Sequence, residues 1–284
     1  MGQSFYEADA AARAVFDEAS ELLGYDMKAL CFEENEKLNL TQYTQPAMVT
    51  TGIAIMKIVE KQGLLPDTAA GLSLGEYEAL YAAGALSVTD AIRVVARRGE
   101  LMEAAVPAGV GAMAAVLGAE ASLIEETLSE IPEVWIANYN CPGQIVISGK
   151  KEAVEAAAEA LKARGIKRVL MLNVSGPFHS GLLKEAGEKL GAVLDGTEIH
   201  PLRIPYYANV TGDIVEDAAK VRGLLTEQVY SSVRFEQSIR NMLSAGVDTF
   251  YELGPGKTLA GFVKKIDREA TVVNIETMED LAKI

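Results

Sequence analysis

Three residues in this chain have types and settings suited to group-transfer chemistry. Gly71-Leu72-Ser73-Leu74-Gly75 is a G-x-S-x-G pentapeptide. A short strand pattern, Thr68 to Gly71, precedes it, and a helical pattern, EYEALYAAGAL, follows it. In that strand–turn–helix setting the motif presents its serine as a nucleophile, and the glycines let strand and helix approach closely. Ser73 then stands at a helix N-terminus, where the dipole and the N–H of Leu74 can stabilise a developing oxyanion. A serine also needs a base, and the chain has only two histidines. His179 sits in Val174-Ser175-Gly176-Pro177-Phe178-His179-Ser180, at the junction that follows an internal unit. His200, ahead of Pro201, reads as a surface-loop residue. No carboxylate stands out as a third member, so the acceptor that orients His179 is left open to a backbone carbonyl.

Arg98 is the third residue. In the helix beginning at Ser87, positions 91, 94, 95, 98, 101 and 102 share one face. They read Ala91, Val94, Val95, Arg98, Leu101 and Met102, while Asp90, Arg93, Arg97 and Glu100 fall on the polar side. A guanidinium inside an apolar stripe requires an anionic partner. That partner is either an internal carboxylate or the carboxylate of a substrate, which arginine can hold bidentately; the alternative is a stem that snorkels its charge out to water. One other motif fails: Gly254-Pro255-Gly256-Lys257-Thr258 resembles the end of a phosphate-binding loop, but the glycine required at position 251 is Tyr251.

The elements that must position these residues alternate between helix and strand. Helical periodicity runs over 7–23 and stops at Gly24, and a second apolar helix is expected after Pro46. Residues 107–174 form a unit of their own. GAMAAVLG, VWIANYN, QIVISG and KRVLMLNV read as strands, and ASLIEETLSEI and KEAVEAAAEALKARG as helices. The order βαββαβ is the ferredoxin-like pattern. Further on, PYYANV and TFYEL read as strands, and helices are expected around 218–230, around 235–245 and at TLAGFVKKI. The fold class is therefore α/β. A large domain of 1–106 plus 175–284 carries an inserted small domain at 107–174, and the cleft between them is the expected site.

Composition narrows the function classes. The chain has 284 residues, of which 49% are apolar, and a formal net charge of −14. That balance argues against binding nucleic acid or an anionic membrane surface. No apolar run is long enough to span a bilayer. The first residues carry no secretory pattern, and Met1-Gly2 is not followed by Ser or Thr at position 6, which is Tyr6. Cys31 and Cys141 are too few for a disulfide framework or a zinc site. The expectation is a cytoplasmic chain with free thiols and no metal.

GLSLGEYEAL, the pair Arg98-Gly99, NYNCPGQIVISG, VSGPFH and YELGPGKTLAGF occur in an order and spacing that resembles the malonyl-CoA:acyl-carrier-protein transacylases, over essentially the whole chain. The resemblance implies an α/β-hydrolase-like large domain with a ferredoxin-like insert. It implies transfer of a malonyl group from malonyl-CoA to holo acyl carrier protein, with no cofactor. Ser73 would be the acylated nucleophile and His179 its base, oriented by the main-chain carbonyl of Gln228. Leu74 would supply the oxyanion donor and Arg98 would hold the malonyl carboxylate. Phe178 would crowd a 2-methyl branch, and Asn140 and Gln144 would line the cleft. Lys167 and Arg168, with Arg164 nearby, would dock an acidic carrier protein. Two departures stand out. Leu72 occupies a place where the family usually has histidine. The family also opens with a strand and a Gly-Gln-Gly-x-Gln loop that gives a second oxyanion donor, and the chain is expected to lack both. A trans-acting polyketide-synthase acyltransferase, an esterase-type serine hydrolase and a non-catalytic carrier-binding relative are the alternatives; the pathway, fatty-acid or polyketide, is left open.

Overall fold

The computed structural model describes residues 1–174 and 176–284; Ser175, part of the VSGPFH motif, lies outside the described residues. The N-terminal periodic stretch is two helices, α1 (Gln3–Ala8) and α2 (Ala10–Leu23), rather than one. Asp9 between them is extended, and its carboxylate accepts from the Ala11 N–H to cap α2. Gly24, at φ 72, ends α2 in a left-handed conformation that favours glycine. After α3 (Met27–Phe32) comes the long helix α4 (Thr41–Lys61), which starts ahead of Pro46 and contains it. Proline there removes a single intrahelical donor, and burial along most of α4 from Gln45 to Val59 outweighs that loss. Strand β1 (Ala69–Ala70) leads through the Ser73 turn into α5 (Gly75–Ala82). Helix α6 (Val88–Ala104) is capped by the Ser87 side chain, which accepts from the Asp90 N–H.

The next unit comprises β2 (Gly111–Leu117), α7 (Ala121–Ser129), β3 (Val134–Cys141), β4 (Gln144–Lys150), α8 (Lys151–Ala163) and β5 (Arg168–Met171). Its strands form one antiparallel sheet in the order β3-β4-β2-β5. That is the ferredoxin-like arrangement, with β5 at an edge and shorter than the KRVLMLNV pattern suggested. Ala114, Val116, Ile124, Ile147, Val154 and Leu161 fill the core between this sheet and its helices.

The chain continues through α9 (Lys184–Asp195), β6 (Tyr206–Tyr207), β7 (Ile214–Val215), α10 (Val221–Gln228), α11 (Phe235–Ser244), β8 (Thr249–Leu253), α12 (Thr258–Ile266), β9 (Thr271–Ile275) and α13 (Met278–Leu281). Neither α9 nor β9 was expected from the sequence pattern. The main core joins Phe5 and Phe16 to Ile53, Leu80, Ile92, Leu190 and Leu225, so it draws on both ends of the chain. Phe178 packs against this core and also against Met113, Ala137 and Val146 on the small sheet, which ties the two layers together beside His179.

Strand β1 pairs in parallel with β6, and β8 pairs in parallel with β9. Among the described residues no backbone hydrogen bond joins β1 to β8. A largely apolar cavity of about 680 Å³ lies between them, lined by Ala69, Ala70, Phe250, Tyr251 and Val263 among others. Tyr251 is 38% exposed on a strand with one unpaired edge, which is a template for association with another chain. Placing a charge there by Tyr251→Lys should lower concentration-dependent light scattering and shift the thermal midpoint by no more than about 4 °C. Unchanged scattering would show that this edge does not drive association.

Candidate active site

Ser73 adopts φ 52 and His179 φ 56. A non-glycine residue rarely holds such a backbone unless its surroundings fix it, and such residues cluster at functional sites. The two strained residues face each other. Ser73 Oγ lies 2.7 Å from His179 Nε2, and His179 Nδ1 lies 2.8 Å from the main-chain oxygen of Gln228. A carbonyl can only accept, so Nδ1 carries the proton and Nε2 presents its lone pair to the serine hydroxyl. Gln228 is the last residue of α10, where a carbonyl has no partner within the helix. The third member is thus a helix-end carbonyl, whose partial negative charge favours an imidazolium when one forms.

His179 is 3% exposed. Burial first, and then the Arg98 charge, push its imidazole down to about 4, so the resting ring is neutral and ready to accept a proton. Of the two motif glycines, only Gly71 is sterically required. A Cβ there would come within 2.0 Å of the Gly75 backbone, whereas one on Gly75 would meet nothing within 4 Å. Close strand–helix approach therefore rests on the first glycine alone. Among the described residues the Leu74 N–H donates to no protein acceptor, which leaves it free at the foot of α5.

Arg98 is 1% exposed, and among the described residues no carboxylate pairs with it. Its guanidinium donates to Gln45 Oε1 at 2.7 Å, to Gln228 Oε1 at 2.9 Å and to Ser73 Oγ at 3.1 Å. It lies 5.5 Å from the centre of the Tyr77 ring, and among the described residues its Nε has no hydrogen-bond partner. The nearest compensating charge acts through an amide: Gln228 Nε2 donates to Glu76 Oε2 at 2.8 Å. Burial pushes the Glu76 carboxyl up to about 7, against hydrogen bonds from Gln228 and Asn209 and the Arg98 charge. Gly99 makes the Gln45 contact possible, because a Cβ on it would come within 2.9 Å of the α4 backbone at Thr41 and Gln42. Chemically this is a serine poised to lose a proton to a neutral imidazole, beside a buried cation with a vacant donor.

The acyl transferase domain family matches residues 1–280 of the chain. A malonyl CoA-acyl carrier protein transacylase of Bacillus subtilis (strain 168) is 48% identical over 99% of this chain and 90% of its own length. The chain belongs to the malonyl CoA-acyl carrier protein transacylase family of acyl transferases. The crystal structure of the Clostridium perfringens transacylase superposes with a TM-score of 0.96 at 42% identity, covering 100% of this chain and 90% of that one. A type II polyketide-synthase acyl-carrier protein solved in complex with its malonyl-transacylase gives a transacylase chain with TM-score 0.96 and 38% identity, covering 100% and 93%.

In this transacylase-family chain a cleft of about 300 Å³ opens beside His179, between Trp135 and Ile136 of β3 and Val210, Tyr230 and Arg234 of the large layer. Asn140 and Gln144 are not brought to that cleft. Asn140 is buried near the end of β3, its side-chain oxygen without a partner among the described residues, and Gln144 accepts from Lys265 Nζ at 3.2 Å. Lys167 and Arg168 are exposed at the start of β5 and enter no ion pair among the described residues. Arg164 instead pairs with Glu126 at 3.2 Å and Glu130 at 3.4 Å. Sequence reasoning missed Gln45, Glu76, Asn209 and the side chain of Gln228. Of these, Glu76 alone carried a signal, as a charge in the first turn of the helix that follows Ser73. Among the described residues no group of His, Cys, Asp and Glu could hold a metal ion.

Two outcomes follow from this geometry. A Cβ at position 71 collides with backbone that cannot move away without shifting Ser73, so Gly71→Ala should cut acylation of Ser73 by roughly a hundredfold. Intact-mass measurement of acyl-enzyme formation reads this directly. The second concerns acid stability. A histidine whose folded-state pKa is lowered from 6.5 to about 4 takes up its proton more readily when unfolded. Its contribution is present above about pH 6.5 and is lost as pH falls toward about 4. Urea unfolding at stepped pH should show a shallower loss over that window in His179→Gln than in the parent.

Proposed function

We propose that this chain carries a malonyl group from malonyl-CoA to the phosphopantetheine thiol of holo acyl carrier protein, by way of a malonyl ester on Ser73. The observation that carries the reading is that one serine oxygen lies 2.7 Å from a neutral buried imidazole and 3.1 Å from a buried guanidinium with an unused donor. As Ser73 Oγ bonds to the thioester carbonyl carbon, His179 Nε2 takes the hydroxyl proton. Charge moves to the carbonyl oxygen, where the Leu74 N–H can meet it. The C–S bond then breaks, and CoA leaves as the thiol with the proton that His179 returns. In the second half the carrier thiol gives its proton to His179 and attacks the ester, and Ser73 regains a proton on release. The reaction needs no cofactor; malonyl-CoA is a substrate.

Arg98 gives the reading its substrate class. An acyl group with a free carboxylate would pair the buried cation and satisfy its vacant Nε, while an acetyl group would leave both as they are. A serine hydrolase acting on neutral esters has no use for this arrangement. Phe178, wedged between the main core and the small sheet, would narrow the space for a branch on the acyl chain. For the carrier protein, Lys167 and Arg168 offer an exposed basic pair on a chain of net charge −14. The division into 1–106 with 175–284 and 107–174 is part of the same reading. So is a cytoplasmic setting; among the described residues no helix is long and apolar enough to cross a membrane.

Malonyl-CoA should add one malonyl mass to the chain, and Ser73→Ala should remove that adduct. An adduct that survives the substitution would sink the assignment. Arg98→Ala should lower malonyl loading relative to acetyl loading by roughly ten- to a hundredfold, the worth of a charged hydrogen bond of about 1.5–3 kcal/mol. Reversing Lys167 and Arg168 to Glu should slow delivery to carrier protein and flatten its salt dependence, and should slow loading from malonyl-CoA much less. Equal losses in both half-reactions would rule the pair out as a docking site.

A further inference from the structure

Asn209 uses every polar group it has in a hydrogen bond, and its side chain spends both of its groups on the Ser73 turn. Its side-chain Oδ1 accepts the Ser73 N–H at 2.6 Å, and its Nδ2 donates to the Gly71 carbonyl at 2.6 Å. The asparagine therefore grips the turn on both sides of Leu72. Its own N–H donates to Glu76 Oε2 at 3.3 Å, and its carbonyl accepts from the Arg234 N–H at 2.8 Å. The residue is 1% exposed and stands two places beyond Tyr207, which is level with Ala70 in the parallel pairing of β6 with β1.

Glu76 backs this clasp from the first turn of α5. Its Oε2 accepts from Asn209 N–H and from Gln228 Nε2, and Gln228 Nε2 also donates to the Ser73 carbonyl at 2.8 Å. Gln228 is in turn the residue whose carbonyl orients His179. One connected set of buried groups thus fixes the serine turn and the acceptor of its base together. Because Oδ1 occupies the Ser73 N–H, that donor is unavailable to a developing oxyanion, while the Leu74 N–H stays open.

We infer that Asn209, braced by Glu76, is a positioning residue that holds Ser73 in its left-handed turn within hydrogen-bonding reach of His179. Asn209 touches no substrate and acts through the turn alone. A left-handed serine relaxes unless its neighbours over-determine it. Loss of a two-sided clasp lets the hydroxyl drift, and a misplacement on the order of 1 Å costs roughly a hundredfold in rate.

The inference rests on Ser73 as the acylated nucleophile, so its test needs a reagent independent of malonyl-CoA. Phenylmethanesulfonyl fluoride serves: Ser73 Oγ bonds to sulfur, fluoride leaves, and His179 takes the proton. Asn209→Ala should slow both sulfonylation and malonyl loading of Ser73 by roughly a hundredfold, with KM for malonyl-CoA within about threefold of the parent. Asn209→Asp adds a pH signature. Protonated aspartic acid presents the same acceptor and donor as asparagine, and burial beside Glu76 on α5 raises its pKa. Labelling of Asn209→Asp should therefore recover as pH falls from about 8 to about 6, while Asn209→Ala shows no recovery. If the parent is sulfonylated but not malonylated and Asn209→Ala loses the sulfonylation, the clasp stands and the malonyl reading falls. A folded Asn209→Ala labelled at the parental rate would overturn the clasp. Should Asn209→Ala fail to fold, parental labelling of Asn209→Asp at about pH 8 would overturn it equally.

Discussion

The interaction on which the rest of the site depends is a cation kept out of water without a carboxylate against it. Removing a guanidinium from solvent is costly unless its donors are matched. Here Arg98 is held by amide oxygens from two different helices, Gln45 on α4 and Gln228 on α10, by the Ser73 hydroxyl and by the face of Tyr77. The carboxyl nearest to it, Glu76, which burial pushes up to about 7, is kept one amide away. A carboxylate in direct contact would make a closed internal ion pair. An amide relay keeps the cation compatible with the interior and leaves part of its hydrogen-bonding capacity unspent.

The same arrangement sets the state of the base. Burial and the nearby positive charge both disfavour protonation of His179, and the Gln228 carbonyl opposes them only in part. A carbonyl at the end of α10 fixes the tautomer without adding a full negative charge. A carboxylate in that place would raise the imidazole toward protonation and would draw on Arg98 as well. The cationic pocket and the carbonyl-oriented histidine therefore suit one another electrostatically. Gln228 joins them, its backbone serving the base and its side chain serving Arg98, Glu76 and the Ser73 turn.

The layers around the site divide the mechanical work. The main core anchors α4, α5 and α6, which carry Gln45, the serine turn and Arg98. The small antiparallel sheet presents Trp135 and Ile136 across the cleft from His179, and Phe178 is packed into both layers next to the base. Position 178 is consequently a place where the spacing of the two layers and the shape of the acyl pocket are coupled.

Much of this was legible in the residues themselves. Ser73 was visible because its motif lies between a strand pattern and a helix pattern, His179 because the chain has only two histidines, and Arg98 because a lone charge interrupts an apolar stripe. The ferredoxin-like unit was legible because its strands and helices have distinct periods and clear turns between them. Helix α4 was placed late because local rules stop a helix near Pro46, and only tertiary burial overrides them. Asn140 and Gln144 were carried over by motif alone, and their surroundings, a buried Asn140 and a Gln144 that accepts from Lys265 Nζ, came only from the tertiary structure. Asn209 and Gln45 gave no sign, since an amide has no periodic signature and its partners lie 136 and 53 residues away. The sequence by itself determined which side chains could react and which local elements hold them. The tertiary structure alone decided which buried donors and acceptors meet, because a hydrogen bond depends on distance and direction in space and not on separation along the chain.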